Sequence, residues 1–337
     1  MRQYIEKIIS GKDLTRSEAY GAMISIMEGK ANDALISAMI VALKIKGESI
    51  EEISGFSEAM LEKAEKVVVS GGNLVDTCGT GGDSLDTFNI STTAAFIAAG
   101  AGVRIAKHGN RSVSSKSGSA DVLEKLGINI NLDVKEVSRC IEETGIGFIF
   151  APMAHRAMKY VAGVRKELGI RTVFNILGPL TNPAMAGGRV LGVYEAGLID
   201  VMAGALKNLG VERAFVVNSE NGMDEFSTTS RIRAARLMNG EIEKIMIDPA
   251  DYGFSIAGIG DLEGGDASLN AKILEDILSG RIKGPMRDSA VFNAAAAIVV
   301  GKVTDRLEDG IELATGSIDS GRALVKLNEL IDGSNRK

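Results

Sequence analysis

The sequence predicts an α/β protein built from a small N-terminal helical domain and a large domain with a mostly parallel central sheet flanked by helices. Three observations lead there. The first 66 residues show helical periodicity alone. From residue 74 onward, short apolar runs of strand character alternate with helical stretches, the pattern of a parallel sheet covered by helices. The segments richest in glycine and charge follow these strands directly, and open parallel sheets collect ligands at the carboxyl ends of their strands. The expected division is a helical domain over 1–66, joined by helices near 154–185, and an α/β domain over 72–330.

In the helical part, Thr15-Arg16-Ser17-Glu18 and Ser49-Ile50-Glu51-Glu52 read as capping boxes. Between them the stretch 34–46 is apolar on more than one face, through Leu35, Ile36, Met39, Ile40, Leu43 and Ile45, and stops at Gly47. Such a helix needs two neighbours, and burial inside the lobe or contact with a second copy of the chain would each supply one. Strands are expected at Leu74-Val75, 103–106, 147–151, 190–193 and 214–218. Residues 237–248 read as a hairpin turning at Asn239-Gly240. A helix start at 264–270, a buried alanine-rich helix over 290–302 and a frayed tail over 334–337 complete the chain.

Composition narrows the function classes. With 337 residues, 45% of them hydrophobic, the chain can fill a sizeable core. A net charge of −6, with 4% aromatic residues and no tryptophan, argues against a nucleic-acid binder. Cys78 and Cys140 are too few for a disulfide framework. No apolar run approaches the roughly 20 residues of a membrane span, and the first residues mix charges into their apolar positions. The expectation is a cytoplasmic protein that binds neither nucleic acid nor membrane.

The chemistry concentrates in three segments. Asp76-Thr77-Cys78-Gly79-Thr80-Gly81-Gly82-Asp83 follows the apolar pair Leu74-Val75 and precedes a helix start at Asn89-Ile90-Ser91-Thr92. Glycines let backbone approach an anion, and the first amides of a helix point unpaired N–H groups at it. The second segment, Lys107 to Ser119, gathers cations, hydroxyls and glycines in an otherwise acidic chain, a composition able to wrap a diphosphate. The third places Asp224 and Glu225 after the apolar run Ala214-Phe215-Val216-Val217. Two adjacent acids suit magnesium, which takes few carboxylates and completes its shell with water and phosphate oxygens.

These motifs, together with Lys107-His108-Gly109-Asn110-Arg111 and Asn175-Ile176-Leu177-Gly178-Pro179-Leu180-Thr181-Asn182-Pro183, resemble the anthranilate phosphoribosyltransferases, in matching order, to about residue 330. The resemblance implies a fold of the nucleoside phosphorylase and phosphoribosyltransferase type. It implies transfer of a phosphoribosyl group from phosphoribosyl pyrophosphate to the amine of anthranilate, in tryptophan biosynthesis, by a homodimer formed through the N-terminal helical domain. By the same resemblance, the donor would be bound by Gly79, Gly82, Asp83, Thr87, Asn89, Ile90, Ser91 and Thr92, and by Lys107, His108, Gly109, Asn110, Arg111, Ser112, Val113, Ser114, Ser115 and Ser119. Anthranilate would meet Gly79, Asn110 and Arg165, and two Mg2+ per subunit would draw on Ser91, Asp224 and Glu225.

Departure of diphosphate leaves positive charge on the sugar and negative charge on the leaving group, so such an enzyme works chiefly by holding charge and position. An aromatic amine is already unprotonated near neutral pH, so no strong base is required; His108 could accept the released proton, or could orient the backbone or the ring. Arg165, by residues alone, could equally pair with Glu167 on the surface. Two alternatives stay open: a pyrimidine-nucleoside phosphorylase, whose Lys-His-Ser signature is replaced here by Asp76-Thr77-Cys78, and a noncatalytic nucleic-acid-binding relative.

Overall fold

The computed structural model describes residues 1–112 and 116–336. Its N-terminal bundle comprises α1 (Arg2–Ile9), α2 (Arg16–Met27), α3 (Asp33–Lys46) and α4 (Ile50–Lys63). Both capping boxes form. Thr15 N–H donates to Glu18 Oε2 at 2.8 Å and Thr15 Oγ1 accepts from Glu18 N–H at 3.3 Å; Ser49 and Glu52 repeat the exchange at 2.9 and 3.3 Å. Each satisfies two amides that a helix start otherwise leaves unpaired. In α3, Ile36, Met39, Ile40 and Leu43 are buried, while Ile45 stands 82% exposed.

The larger part runs β1 (Leu74–Gly79), α5 (Ile90–Gly100), β2 (Arg104–Gly109), α6 (Ser119–Lys125), α7 (Val134–Thr144), β3 (Ile146–Phe150), α8 (Ala151–Ala154), α9 (Lys159–Leu168), α10 (Phe174–Leu177), β4 (Gly188–Gly192), α11 (Leu198–Asn208) and β5 (Arg213–Ser219). The hairpin β6 (Ile232–Met238) and β7 (Glu241–Ile247) turns at Asn239 and Gly240, both at positive φ. Four helices follow: α12 (Ala267–Leu278), α13 (Pro285–Val300), α14 (Leu307–Asp319) and α15 (Arg322–Asn335).

One seven-stranded sheet has the order β3-β2-β1-β4-β5-β6-β7, parallel through β5 and antiparallel over the hairpin. The chain moves outward from β1 to β3, then returns to lay β4 on the other side of β1. The β1/β4 seam is therefore the topological switch point, where open α/β sheets form their crevice. Alternating side chains feed two cores. Val190, Phe215 and Val217 join α5 and α12–α15 on one face, while Leu191, Val193, Val216 and Leu237 join α11 and the helical bundle on the other. Val161, Val164, Val173, Phe174 and Leu177, from α9, α10 and their connection, belong to that second core.

Several boundaries differ from the sequence expectation. Strand β1 continues to Gly79 because Asp76–Gly79 pair with Arg189–Gly192, and β2 continues to Gly109 because Lys107–Gly109 pair with Phe148–Phe150. Lys107, His108 and Gly109 are thus strand residues with fixed side-chain directions. Ala151 opens α8 instead of ending a strand. Ser334 and Asn335 do not fray: they continue α15, with Ser334 Oγ accepting from Asn129 N–H at 3.1 Å and Asn335 Nδ2 donating to the Gly127 carbonyl at 2.9 Å.

Beyond the pairs Leu74/Arg104 and Val75/Ile105, β1 and β2 separate. Side chains replace the missing ladder. Asp76 Oδ1 accepts from His108 N–H at 3.0 Å, and Asn182 Nδ2 donates to the Ala106 carbonyl at 2.7 Å. Asp76 is fully buried, and its other oxygen accepts from Arg189 Nη1 at 2.8 Å across the β1/β4 seam. Removing one partner of a buried ion pair strands the other charge, at a cost of about 3–5 kcal/mol. Asp76→Ala is expected to destabilise the fold by that order in urea unfolding; a loss below ~1 kcal/mol would mean that the seam does not depend on this carboxylate.

Candidate active site

The carboxyl ends of β1 and β4 finish in paired glycines, Gly79 and Gly192, because another segment lies across them. A Cβ on Gly192 would stand 1.5 Å from the Asp224 carbonyl oxygen, and one on Gly79 would stand 2.4 Å from Asp224 Oδ2. Backbone leaves no room for a side chain at Gly192, and one at Gly79 would displace the Asp224 carboxylate. The crossing segment is held from behind: Phe226 packs edge-on against Phe215 and Phe292, and Asn293 exchanges hydrogen bonds of 3.0 and 2.8 Å with its backbone.

This crossing brings the three chemical segments together. Asp224 Oδ2 accepts from Gly81 N–H at 2.8 Å, and Glu225 Oε1 accepts from Ser91 N–H at 3.2 Å, in the first turn of α5. Lys107 reaches through the gap between β1 and β2 to donate to the Thr77 carbonyl and, at 3.3 Å, to Ser91 Oγ. At the same helix start, Thr92 N–H meets no acceptor among the described residues and Asn89 provides no side-chain cap. A buried ammonium, a free helix amide and a left-handed turn at Gly81 and Gly82 define an anion site beside two acids.

Neither acid forms an ion pair among the described residues. Burial, then the charge of Asp83, pushes Asp224 up to about 7. Burial, then Asp224, pushes Glu225 up to about 8, with Lys107 acting in the opposite sense. Burial likewise lowers Lys107, against the pull of Asp76 and Glu225. A magnesium ion fits this donor set: two carboxylates raised by burial and by neighbouring acids, with the hydroxyl of Ser91, offer part of an oxygen shell, leaving phosphate oxygens and water to complete it. Among the described residues no group of three or more His, Cys, Asp or Glu forms a closed protein cage.

Other sequence-predicted residues fall around this centre in different states. Asp83 lies close enough to bear on both acids. Thr87 bridges to Glu263, and Asn89 Oδ1 accepts from Asn270 Nδ2 at 2.9 Å. Ile90 is buried with its N–H on the Phe88 carbonyl, so neither its side chain nor its amide faces a ligand. Gly109 ends β2 against Ser119, whose Oγ donates to the Asn110 carbonyl at 3.3 Å. Arg111 turns outward to Asp121 and Glu124, at 2.8 and 3.0 Å, and Ser112 N–H donates to Asp121 at 3.1 Å. Val113, Ser114 and Ser115 lie outside the described residues.

His108 points away from Lys107, toward His155, with ring centroids 5.2 Å apart. Burial drives His108 well below the ordinary imidazole range, reinforced by His155 and Arg189, and its Nε2 is buried without a partner. Burial holds His155 at about 4, while its Nε2 sits 2.8 Å from the Thr181 carbonyl. Both rings are neutral at physiological pH, and His108 is a weak base. Arg165, on α9, forms no ion pair with Glu167 or any other described residue; its guanidinium lies 5.9 Å from the centre of the Phe174 ring, and burial lowers its pKa.

Sequence reasoning missed Arg189 and Asn182, which hold the seam, and Arg171 with Tyr194, whose guanidinium and ring stack at 4.4 Å beside the glycine turn. Asn182 lies in a quoted motif whose sequence does not show its partner, and nothing local marks the other three. Their partners are 76 or more positions away for the seam residues and 23 for the stack, as 194 minus 171 gives.

A helical bundle joined to a switch-point anion site over two acids defines a two-domain glycosyl transferase. Residues 2–64 match the family described as glycosyl transferase family, helical bundle domain, and residues 71–324 match its a/b domain. The chain belongs to the anthranilate phosphoribosyltransferases. It is 53% identical over 335 residues to that enzyme of Acetivibrio thermocellus, covering 99% of this chain and 97% of the relative, and 51% identical over 336 residues to that of a Thermoanaerobacter species, covering 100% and 99%. The crystal structure of the Thermus thermophilus enzyme superposes with a TM-score of 0.94 at 39% identity, covering 99% of both chains. The Saccharomyces cerevisiae enzyme, solved with PRPP and Mg and also with 4-fluoroanthranilate, superposes in the PRPP complex at 0.89, with 28% identity over 98% of this chain and 97% of that one.

The raised acids set a direction for pH. Unfolded carboxylates titrate near 4, so up to about pH 8 these two acids hold protons in the folded, metal-free chain that the unfolded one has lost; His108 and His155, lowered by burial, act in the opposite sense up to the unfolded imidazole value near 6.5, so the acids make stability fall with pH most plainly between about pH 6.5 and 8. Melting in chelator is expected to show this decline, levelling above pH 8, and a flatter profile in Asp224→Asn/Glu225→Gln. Parallel profiles for the two proteins would remove these acids as the cause.

Proposed function

We propose that the chain transfers the phosphoribosyl group of phosphoribosyl pyrophosphate to the amine of anthranilate, giving N-(5-phosphoribosyl)anthranilate and diphosphate in tryptophan biosynthesis. The observation that carries the reading is the pair of raised carboxylates, Asp224 buried over Gly79 and Gly192 and Glu225 half-buried beside it, next to Lys107 and the start of α5. That arrangement is unfavourable alone and is relieved by a cation and a diphosphate together.

Magnesium, two ions per subunit in this reading, would draw on Ser91, Asp224 and Glu225 and would supply positive charge to the departing diphosphate. Lys107, the Thr92 amide and the backbone at Gly82 hold diphosphate oxygens as their charge grows, with Arg111, Ser112 and Ser119 approaching from the β2–α6 connection. Val113, Ser114 and Ser115 belong to the same proposed donor set. Arg165 takes the anthranilate carboxylate: it is half-buried, desolvated and unpaired, the state of a guanidinium awaiting an anion. Asn110 and the Gly79 backbone border the acceptor. His108, neutral and weakly basic, orients the ring better than it removes a proton.

A homodimer formed through the N-terminal helical domain belongs to the same proposal, and Ile9 on α1 and Ile45 on α3, exposed by 72% and 82%, are apolar residues there that a second copy could cover. No helix among the described residues is long and apolar enough to cross a membrane. A cytoplasmic location accompanies the proposal.

Loss of anthranilate fluorescence with stoichiometric diphosphate release, dependent on both phosphoribosyl pyrophosphate and Mg2+, tests the reaction; folded protein without turnover would defeat it. Arg165→Ala is expected to raise the anthranilate KM about 10–100-fold, the worth of a charge-assisted pair, and to leave the donor KM within a few-fold. Asp224→Asn/Glu225→Gln is expected to raise the Mg2+ requirement. Equal damage to both substrates in both variants would defeat the residue assignments.

A further inference from the structure

Arg171 is used by neither proposed substrate pocket, yet it touches the donor turn from the acceptor side. It stands six positions beyond Arg165 and two beyond Gly169, which ends α9 in the left-handed conformation. The connection is rigid: Thr172 N–H donates to Asn175 Oδ1 at 2.9 Å, and Val173 and Phe174 are buried in the core shared with the helical bundle. From this anchored segment the exposed Arg171 guanidinium donates to the Gly82 carbonyl and stacks on the Tyr194 ring at 4.4 Å. The fit against Gly82 is close, since a Cβ there would stand 2.9 Å from Arg171 Nη2.

Tyr194 is itself tied to the same turn. Its N–H donates to Thr80 Oγ1 at 3.1 Å, while Thr80 N–H donates to the Gly192 carbonyl at 2.9 Å. The stack therefore clamps the turn between the end of β4 and the segment carrying Arg165. The Gly82–Asp83 peptide bond is trans, so drawing the Gly82 carbonyl toward Arg171 turns the Asp83 N–H the opposite way. Asp83 is the residue whose charge bears on both Asp224 and Glu225.

We infer that Arg171 is a positioning residue that couples the two substrates: it transmits the placement of the acceptor-binding segment to the glycine turn that receives the donor. This rests on the proposed roles of Arg165 and the Gly79–Asp83 turn. A side chain that binds neither ligand but links the elements holding them contributes to the interaction between ligands more than to either affinity, and that interaction is reciprocal.

The test uses a pair that cannot react, magnesium diphosphate and anthranilate, each titrated calorimetrically alone and with the other saturating. In the wild-type chain each is expected to tighten the other about fivefold or more, within the usual range of coupling. Arg171→Met keeps apolar packing on Tyr194 but loses the hydrogen bond; it is expected to leave each single affinity within about twofold and bring the coupling factor near one. Tyr194→Leu, which removes the stacking surface, is expected to reduce the factor as well, and Arg171→Lys to restore part of it. A coupling factor unchanged in both Arg171→Met and Tyr194→Leu overturns the inference, as does equal weakening of both ligands at constant coupling, the mark of a structural role alone. Binding of both probes to the wild type without coupling sinks this inference and leaves the proposed function standing, whereas failure of either probe to bind sinks both.

Discussion

The site depends on the gap between β1 and β2. Those strands share only two ladder positions before they part, and the parting would leave a buried amide and a buried carbonyl unpaired. Asp76 takes the His108 amide and Asn182 takes the Ala106 carbonyl, so the sheet opens without orphaning either group. Asp76 in turn requires Arg189 on β4, for a lone buried carboxylate is costly. With the gap held open, Lys107 passes its ammonium to Ser91 at the start of α5. Close the gap and the cation loses its route.

Charge around the opening is unbalanced. Asp224 lies across the glycine strand ends under the charge of Asp83, Glu225 stands beside it under the charge of Asp224, and Lys107, which opposes the rise of Glu225, is itself desolvated. The seats are nonetheless rigid. Phe226, Asn293 and the missing side chains at Gly79 and Gly192 fix the acids before any ligand is present, which is what preorganisation demands. Arg111 differs: it is already paired with Asp121 and Glu124, so a role on diphosphate requires it to leave those carboxylates.

The helical bundle is more than an appendage. Its core runs without interruption through α11 onto one face of the sheet, and α9 and α10 are built into it. Arg165 and Arg171 therefore project from the same packed body, one over the Phe174 ring with no ion pair among the described residues and one fastened to the donor turn. A movement of that body relative to the sheet would reach the glycine turn through Arg171 and Tyr194.

Local pattern determined a good deal here. The capping boxes at Thr15 and Ser49, the alternation of strands and helices, the Asn239-Gly240 turn and the three polar segments after strands were all legible, because each is encoded within a few neighbouring residues. What tertiary structure alone decided lies between distant positions. The strands outran their apolar runs, carrying Lys107 and His108 to opposite faces, because pairing with neighbours, not hydropathy, sets where a strand ends. Gly79 looked like a loop former and Gly192 stood unremarked within an expected strand, and both are clearance for Asp224, more than 140 positions beyond the first and 32 beyond the second. Asp76 and Asn182 lie in legible motifs, but the seam they form with Arg189 does not show locally, since a charge reads as surface until the partner that permits its burial is brought to it by the fold.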